Sequence, residues 1–169
     1  MEKLEREDAP ETRESLEGRY QKALEAAGKQ LSYRALSRIA LREKLISKGH
    51  AEDAADYAVA WLLERGLLND AELAAATVRS CARKGYGALR IRQELRRRGI
   101  GNEDAEAALS AFEPEEERMA ALLDKRLRGD LSDRKEVAKA VAALQRRGFR
   151  WEEIRRALEA YGASLPGEE

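Results

Sequence analysis

The chain has 169 residues, enough for one compact domain or a short array of small repeated units. Its 32 basic and 32 acidic side chains cancel, so the mean field singles out no partner. A single cysteine, Cys81, excludes an internal disulfide and a cysteine-based zinc cluster, and a single histidine, His50, leaves little for acyl-transfer catalysis.

Ala, Leu, Glu, Arg and Lys dominate, there are only three prolines, and strand alternation is absent at any useful length. The pattern predicts an all-α fold. Residues 1–18 carry seven acids and three bases and read as an acidic, disordered tail. A first unit, 19–66, holds a helix over about 20–35, a second entered at Ser37 as N-cap, and a third from near Glu52. A second unit, 67–113, starts with a helix over about 71–84 capped by Asn69-Asp70, enters its middle helix at Gly87 and its third near Glu103. A third unit, 114–162, places Pro114 in the first turn of a helix over about 115–128 and starts its last helix near Trp151. Residues 163–169 read as a flexible end.

One pattern ties the units together. Leu45 with Gly49 and His50 recurs as Leu95 with Gly99 and Ile100, then as Leu144 with Gly148 and Phe149. The period of 50, then 49, marks a structural repeat. Leu falls on the last turn of a helix, and Gly four residues on can take the left-handed conformation that ends it. The sixth, tenth and thirteenth residues after each Gly form the inner face of the next helix, for example Ala55, Val59 and Leu62. Three tandem three-helix, helix-turn-helix-like repeats in an elongated, curved array are expected, with side-by-side stacking supplying the core each unit lacks.

Little in the chain suggests catalysis or a cofactor. His50 occupies the slot of Ile100 and Phe149, which favours packing over chemistry, and Cys81 reads as a small buried hydrophobe. Lys84-Gly85-Tyr86-Gly87 lacks the lysine and the preceding strand of a phosphate loop and reads as an interhelical turn. Tyr86 is expected to pack in that turn, Trp61 in the core, and Trp151 to be partly exposed. Carboxylates alternate with bases, as in the i,i+4 pair Glu94–Arg98, and no metal-ligand spacing occurs.

Charge is distributed unevenly. Residues 79–99 hold eight bases and one acid, net +7, more than helix capping needs. On the middle helix Ala88, Ile91 and Leu95 form the inner stripe, leaving the arginines outward. The candidates for contact with a partner are Arg83, Lys84, Arg90, Arg92, Arg96 and Arg97, joined in the third unit by Arg146, Arg147 and Arg150. A phosphate backbone or an acidic protein face would suit them.

These segments resemble the bacterial regulatory protein RecX family. The matching residues are Leu31-Ser-Tyr-Arg-Ala-Leu-Ser37 with Leu41 and Leu45; Glu64-Arg-Gly-Leu-Leu-Asn-Asp70; Arg83-Lys-Gly-Tyr-Gly87 with Ile91-Arg-Gln-Glu-Leu95 and Gly99-Ile100; and Leu144-Gln-Arg-Arg-Gly-Phe149 with Ile154 and Leu158. The resemblance spans roughly 20–161 and weakens over 124–136; Ala40 stands where the family often has an acid. It implies three tandem three-helix repeats and no enzymatic activity. It also implies a regulator that binds in the groove of the RecA filament on single-stranded DNA, hinders its growth and favours its disassembly. ATP hydrolysis, strand exchange and coprotease activity would fall accordingly. Single-stranded DNA is then a partner, directly or within the filament. The residues alone also allow a RecA-independent DNA-binding repeat protein or a helical adaptor for another protein. With no apolar segment of membrane-spanning length and a charged start from Glu2, a soluble, cytoplasmic, monomeric protein is expected.

Overall fold

A computed structural model describes residues 13–114 and 116–164. Among these residues the secondary structure is nine α-helices and no strand. The first repeat comprises α1 (Arg13–Tyr33), α2 (Arg38–Ser47) and α3 (Glu52–Glu64). The second comprises α4 (Asp70–Arg83), α5 (Ala88–Arg97) and α6 (Asn102–Ser110). The third comprises α7 (Glu116–Leu127), α8 (Arg134–Arg146) and α9 (Trp151–Ser164). No helix of the described residues is long and apolar enough to cross a membrane.

Three local expectations are corrected. Residues 13–18 are not a disordered tail but the first turns of α1, while 1–12 lie outside the described residues. Residues 163 and 164 close α9, and 165–169 lie outside the described residues. Pro114 precedes α7, whose first residue is Glu116.

The recurring Leu and Gly have one structural meaning. At each middle-helix end the residue after Gly donates its N–H to the Leu carbonyl: His50 to Leu45 at 3.1 Å, Ile100 to Leu95 at 3.1 Å, and Phe149 to Leu144 at 3.2 Å. Each Gly N–H closes the inner ring, for example Gly49 to Ile46 at 2.9 Å. This is the Schellman motif, and its glycine needs the positive φ found at Gly49, Gly99 and Gly148. The slot after the glycine carries the motif's apolar contact, which explains why Ile100 and Phe149 are buried. Leu95 and Leu144 are buried in the same clusters as Ile100 and Phe149, and Leu45 is buried in the first repeat.

Entry into the middle helices differs. The Ser37 hydroxyl accepts from the Ala40 N–H at 3.1 Å, and the Asp133 carboxylate accepts from Lys135 and Glu136 at 2.8 and 3.3 Å. Gly87 caps α5 without a side chain. The α7–α8 loop, where the repeat pattern is weakest, is held from α9. The Tyr161 hydroxyl accepts from the Gly129 N–H at 2.8 Å and donates to Asp124 at 2.7 Å.

Each repeat has its own buried cluster, centred on Leu41 and Leu45, on Ile91 and Leu95, and on Leu123, Leu144 and Ile154. Cys81 is buried in the second, packing there as a small hydrophobe, and burial pushes its thiol pKa up. Trp61 packs partly buried against the first, whereas Trp151 is exposed. Within each repeat helix packs on helix around its own cluster. The chain divides into two compact units, Met1–Asn69 and Asp70–Glu169, so the second and third repeats share one unit.

Candidate functional site

Within the second unit, repeats two and three meet through their turns. The Gly87 N–H donates to the Arg147 carbonyl at 2.8 Å, and the Leu89 N–H donates to the Gly148 carbonyl at 3.1 Å. Backbone lies directly on backbone. A Cβ on Gly87 would fall 2.5 Å from the Gly148 carbonyl oxygen, so no other residue fits at this approach.

Guanidinium groups close the joint. Arg118 of α7 donates to the carbonyls of Ala82 and Arg83 at 2.7 and 2.6 Å. Arg147 donates to the carbonyls of Lys84 and Gly85 at 3.1 and 3.5 Å. The carbonyl end of α4, where the Gly85 N–H already reaches the Ala82 carbonyl, is thus capped further by cations from the next repeat. Arg90 returns the contact, donating to the Arg146 carbonyl at 3.2 Å while its guanidinium lies 4.2 Å from the Tyr86 ring centre. Tyr86 packs against the repeat-two core, as expected of a turn residue.

The nine candidate cations consequently separate. Arg147 and Arg90 are tied into the joint. Arg92 reaches across to α6, where it pairs in a fork with Glu106 at 2.9 Å for both contacts. That hydrogen bond is the main reason the Glu106 pKa lies below the ordinary carboxylate range, with Arg96 and Arg150 adding their fields. Arg97 pairs with Glu94, which Arg98 also contacts. For Glu94 burial pushes the pKa up, but the hydrogen bonds from Arg98 and Arg97 outweigh it and hold the group below its usual value.

Arg83, Lys84, Arg96, Arg146 and Arg150 are exposed and, among the described residues, their side chains make no hydrogen bond or ion pair. Lys84 and Arg146 line a cleft of about 530 Å³ with Tyr86, Arg90, Ala143 and Arg147, and no carboxylate stands in it. Arg118 is the residue that sequence reasoning missed. It lies in an acid-rich first turn, Glu116-Glu117-Arg118, and reads there as one more solvated charge.

Three comparisons with known proteins bear on this arrangement. Family models match in chain order: "RecX, first three-helix domain" over 23–62, "RecX, second three-helix domain" over 69–109, and "RecX, third three-helix domain" over 114–158. The chain is 42% identical over 123 residues to "Regulatory protein RecX" of Xanthomonas axonopodis pv. citri, covering 72% of this chain and 76% of that protein. It is 37% identical over 158 residues to "Regulatory protein RecX" of Deinococcus radiodurans, covering 90% of this chain and 74% of that protein. Among solved structures, RecX from Lactobacillus salivarius superposes with a TM-score of 0.81 at 25% identity, over 87% of this chain and 99% of that one.

Proposed function

Because the chain belongs to the RecX family of regulatory proteins, we propose that it regulates the RecA recombinase as an inhibitor. In this reading it binds the RecA filament on single-stranded DNA, limits its extension and promotes its disassembly. ATPase, strand-exchange and coprotease activities fall as a result. The observation that carries the proposal is the ordered match of all three repeats, 23–62, 69–109 and 114–158, to the three RecX domains.

The physical features support a binding role rather than catalysis. Repeats two and three present exposed cations at Arg83, Lys84, Arg96, Arg146 and Arg150, spread over four helix ends or turns. Several weak contacts on one rigid unit add through effective concentration, so an array can engage more than one protomer without any single strong site. Inhibition also requires unequal affinity: a binder that holds extending and non-extending filament equally shifts neither. The protein acts in the cytoplasm as a monomer, by stoichiometric contact, with no cofactor.

The test adds the protein to RecA filaments on single-stranded DNA with ATP. Hydrolysis rate and filament length are read as the ratio of the two proteins rises. Both fall as the ratio approaches one regulator per contacted group of protomers. Unchanged hydrolysis and length at stoichiometric ratios would sink the proposal.

A further inference from the structure

A second feature of the third repeat carries the opposite charge. Residues of α7 and α9 line a groove of about 620 Å³ that shares no residue with the basic cleft. Met119, Ala157 and Tyr161 line it from the buried cluster of the repeat, and Ala120 and Ala160 line it from nearer the surface. Three alanines among these five leave open the space that larger side chains would fill. The charged residues of the lining are Glu113, Glu116, Glu117 and Glu153, with Arg156 as the one cation.

Helix capping does not account for these acids. Glu116 and Glu117 stand in the first turn of α7 and Glu153 in the first turn of α9, where acids offset the dipole. Each helix start supplies only about half a positive charge, and Glu113 belongs to neither helix. Neighbouring side chains do not neutralise them either. Among the described residues the side chains of Glu113, Glu116 and Glu117 make no hydrogen bond or ion pair, and Glu153 accepts the Arg150 N–H at 2.6 Å. Arg156 donates to the Glu152 carbonyl at 3.3 Å and pairs with none of the four. An apolar groove edged by uncompensated carboxylates attracts a cation that also has apolar surface to bury.

We propose that this groove takes a basic amphipathic helix of a partner protein. The apolar face of that helix lies on Met119, Ala157 and Tyr161, and its flanking lysines or arginines meet the glutamates. The inference goes beyond the regulatory function proposed above, which assigns no contact to this face. Charge decides among the occupants. A nucleic-acid strand is repelled. So are the chain's own ends: Glu2, Glu5, Glu7, Asp8 and Glu11 outnumber Lys3 and Arg6, and residues 165–169 add Glu168 and Glu169. A second copy offers the basic helix α5, but Ile91 and Leu95 of its apolar stripe are fully buried in their own core. A metal ion is not suited, because among the described residues no three His, Cys, Asp or Glu side chains gather closely enough to hold one. The space between two packed helices is the shape into which the ridge of a third fits, which favours a helix over an extended segment.

The test uses the full chain alone and a fluorescein-labelled peptide of about 15 residues, with leucines at helical spacing and lysines elsewhere. A twin peptide carries glutamates in place of the lysines. Anisotropy at about 100 mM salt should show the basic peptide bound and its twin unbound. E113Q/E116Q/E117Q should weaken binding about tenfold with an unchanged thermal melt. Ala160→Phe fills the groove without changing its charge and should weaken binding at least as much; it carries the expectation alone where the triple variant does not fold. E17Q/E43Q/E103Q makes the same charge change at exposed glutamates outside the groove and should bind as the wild type does. No binding by the wild type, equal binding of the twin, wild-type affinity in a folded groove variant, or equal loss in E17Q/E43Q/E103Q each overturns the inference. Displacement by spermidine as effective as by unlabelled peptide overturns it too, and assigns the groove to small polyamines. Because RecA is absent throughout, none of these outcomes bears on filament inhibition, which is read separately by the hydrolysis assay.

Discussion

Two neighbouring arginines show how much a single position on a helix end decides. Arg146 and Arg147 are adjacent and chemically identical, yet only Arg147 turns its guanidinium onto the carbonyls of Lys84 and Gly85. Arg147→Ala should therefore destabilise the second unit by about 1–3 kcal/mol, because carbonyl acceptors lose a charged donor, measured by denaturant unfolding. Arg92→Ala should barely move the melting temperature at neutral pH, since its partner Glu106 is open to solvent. The pair has a pH signature all the same. The Glu106 pKa is lower in the folded chain than in the unfolded one, so its contribution is present at neutral pH and disappears as pH falls through the folded value. Any deficit in Arg92→Ala should accordingly shrink between about pH 6 and pH 3, and a deficit that grows in acid would contradict the assignment.

At the scale of the element, the Schellman ends carry the repeat. Leu95 is fully buried in the second repeat's core and supplies the carbonyl that terminates α5. Leu95→Ala should cost about 2–5 kcal/mol by cavity formation, and a calorimetric or denaturant value near zero would mean that the helix end is not packed as described. This part of the fold was legible in the sequence because the motif is local. A leucine, a glycine four residues on and an apolar residue after it are fixed by hydrogen bonds within one turn, so their spacing survives in the letters. The nine helices followed from the same logic. The length of α1 did not, because Arg13 to Gly18 are charged and polar apart from Leu16, and nothing in their composition distinguishes a solvated helix from a tail. The joint was also invisible, and for a different reason. Gly87 and Gly148 stand 61 positions apart, and their meeting is backbone on backbone, which leaves no complementary side chains to notice. The basic block was seen, but its division into capping, paired and open cations depended on where turns of the next repeat arrive.

At the scale of the whole molecule, a formal charge of zero conceals a local imbalance that only the fold locates. Acids and bases compensate across α5 and α6, while the cleft at the repeat joint is left positive. The cleft draws Lys84 and Arg90 from repeat two and Arg146 and Arg147 from repeat three, so it exists only while those two repeats are docked. Gly148→Ala tests that dependence. It forces a side chain into a positive-φ position pressed against Arg90. Hydrogen exchange should accelerate at the Gly87 and Leu89 amides, with protection inside α5 and α8 reduced much less; unchanged protection at those two amides would show that the close approach is not needed.

The glycine-to-glycine approach also bears on how such an array can be lengthened or rearranged. Repeats that touch through generic apolar faces can be shuffled or multiplied like beads. Here the position equivalent to Gly87 is Ser37 in the first repeat and Asp133 in the third, and each has a Cβ that would fall on the Gly148 carbonyl. Neither repeat could replace the second at that junction. The order of the repeats is therefore written into the backbone, and a chimera that reorders them would keep its helices and lose its joint.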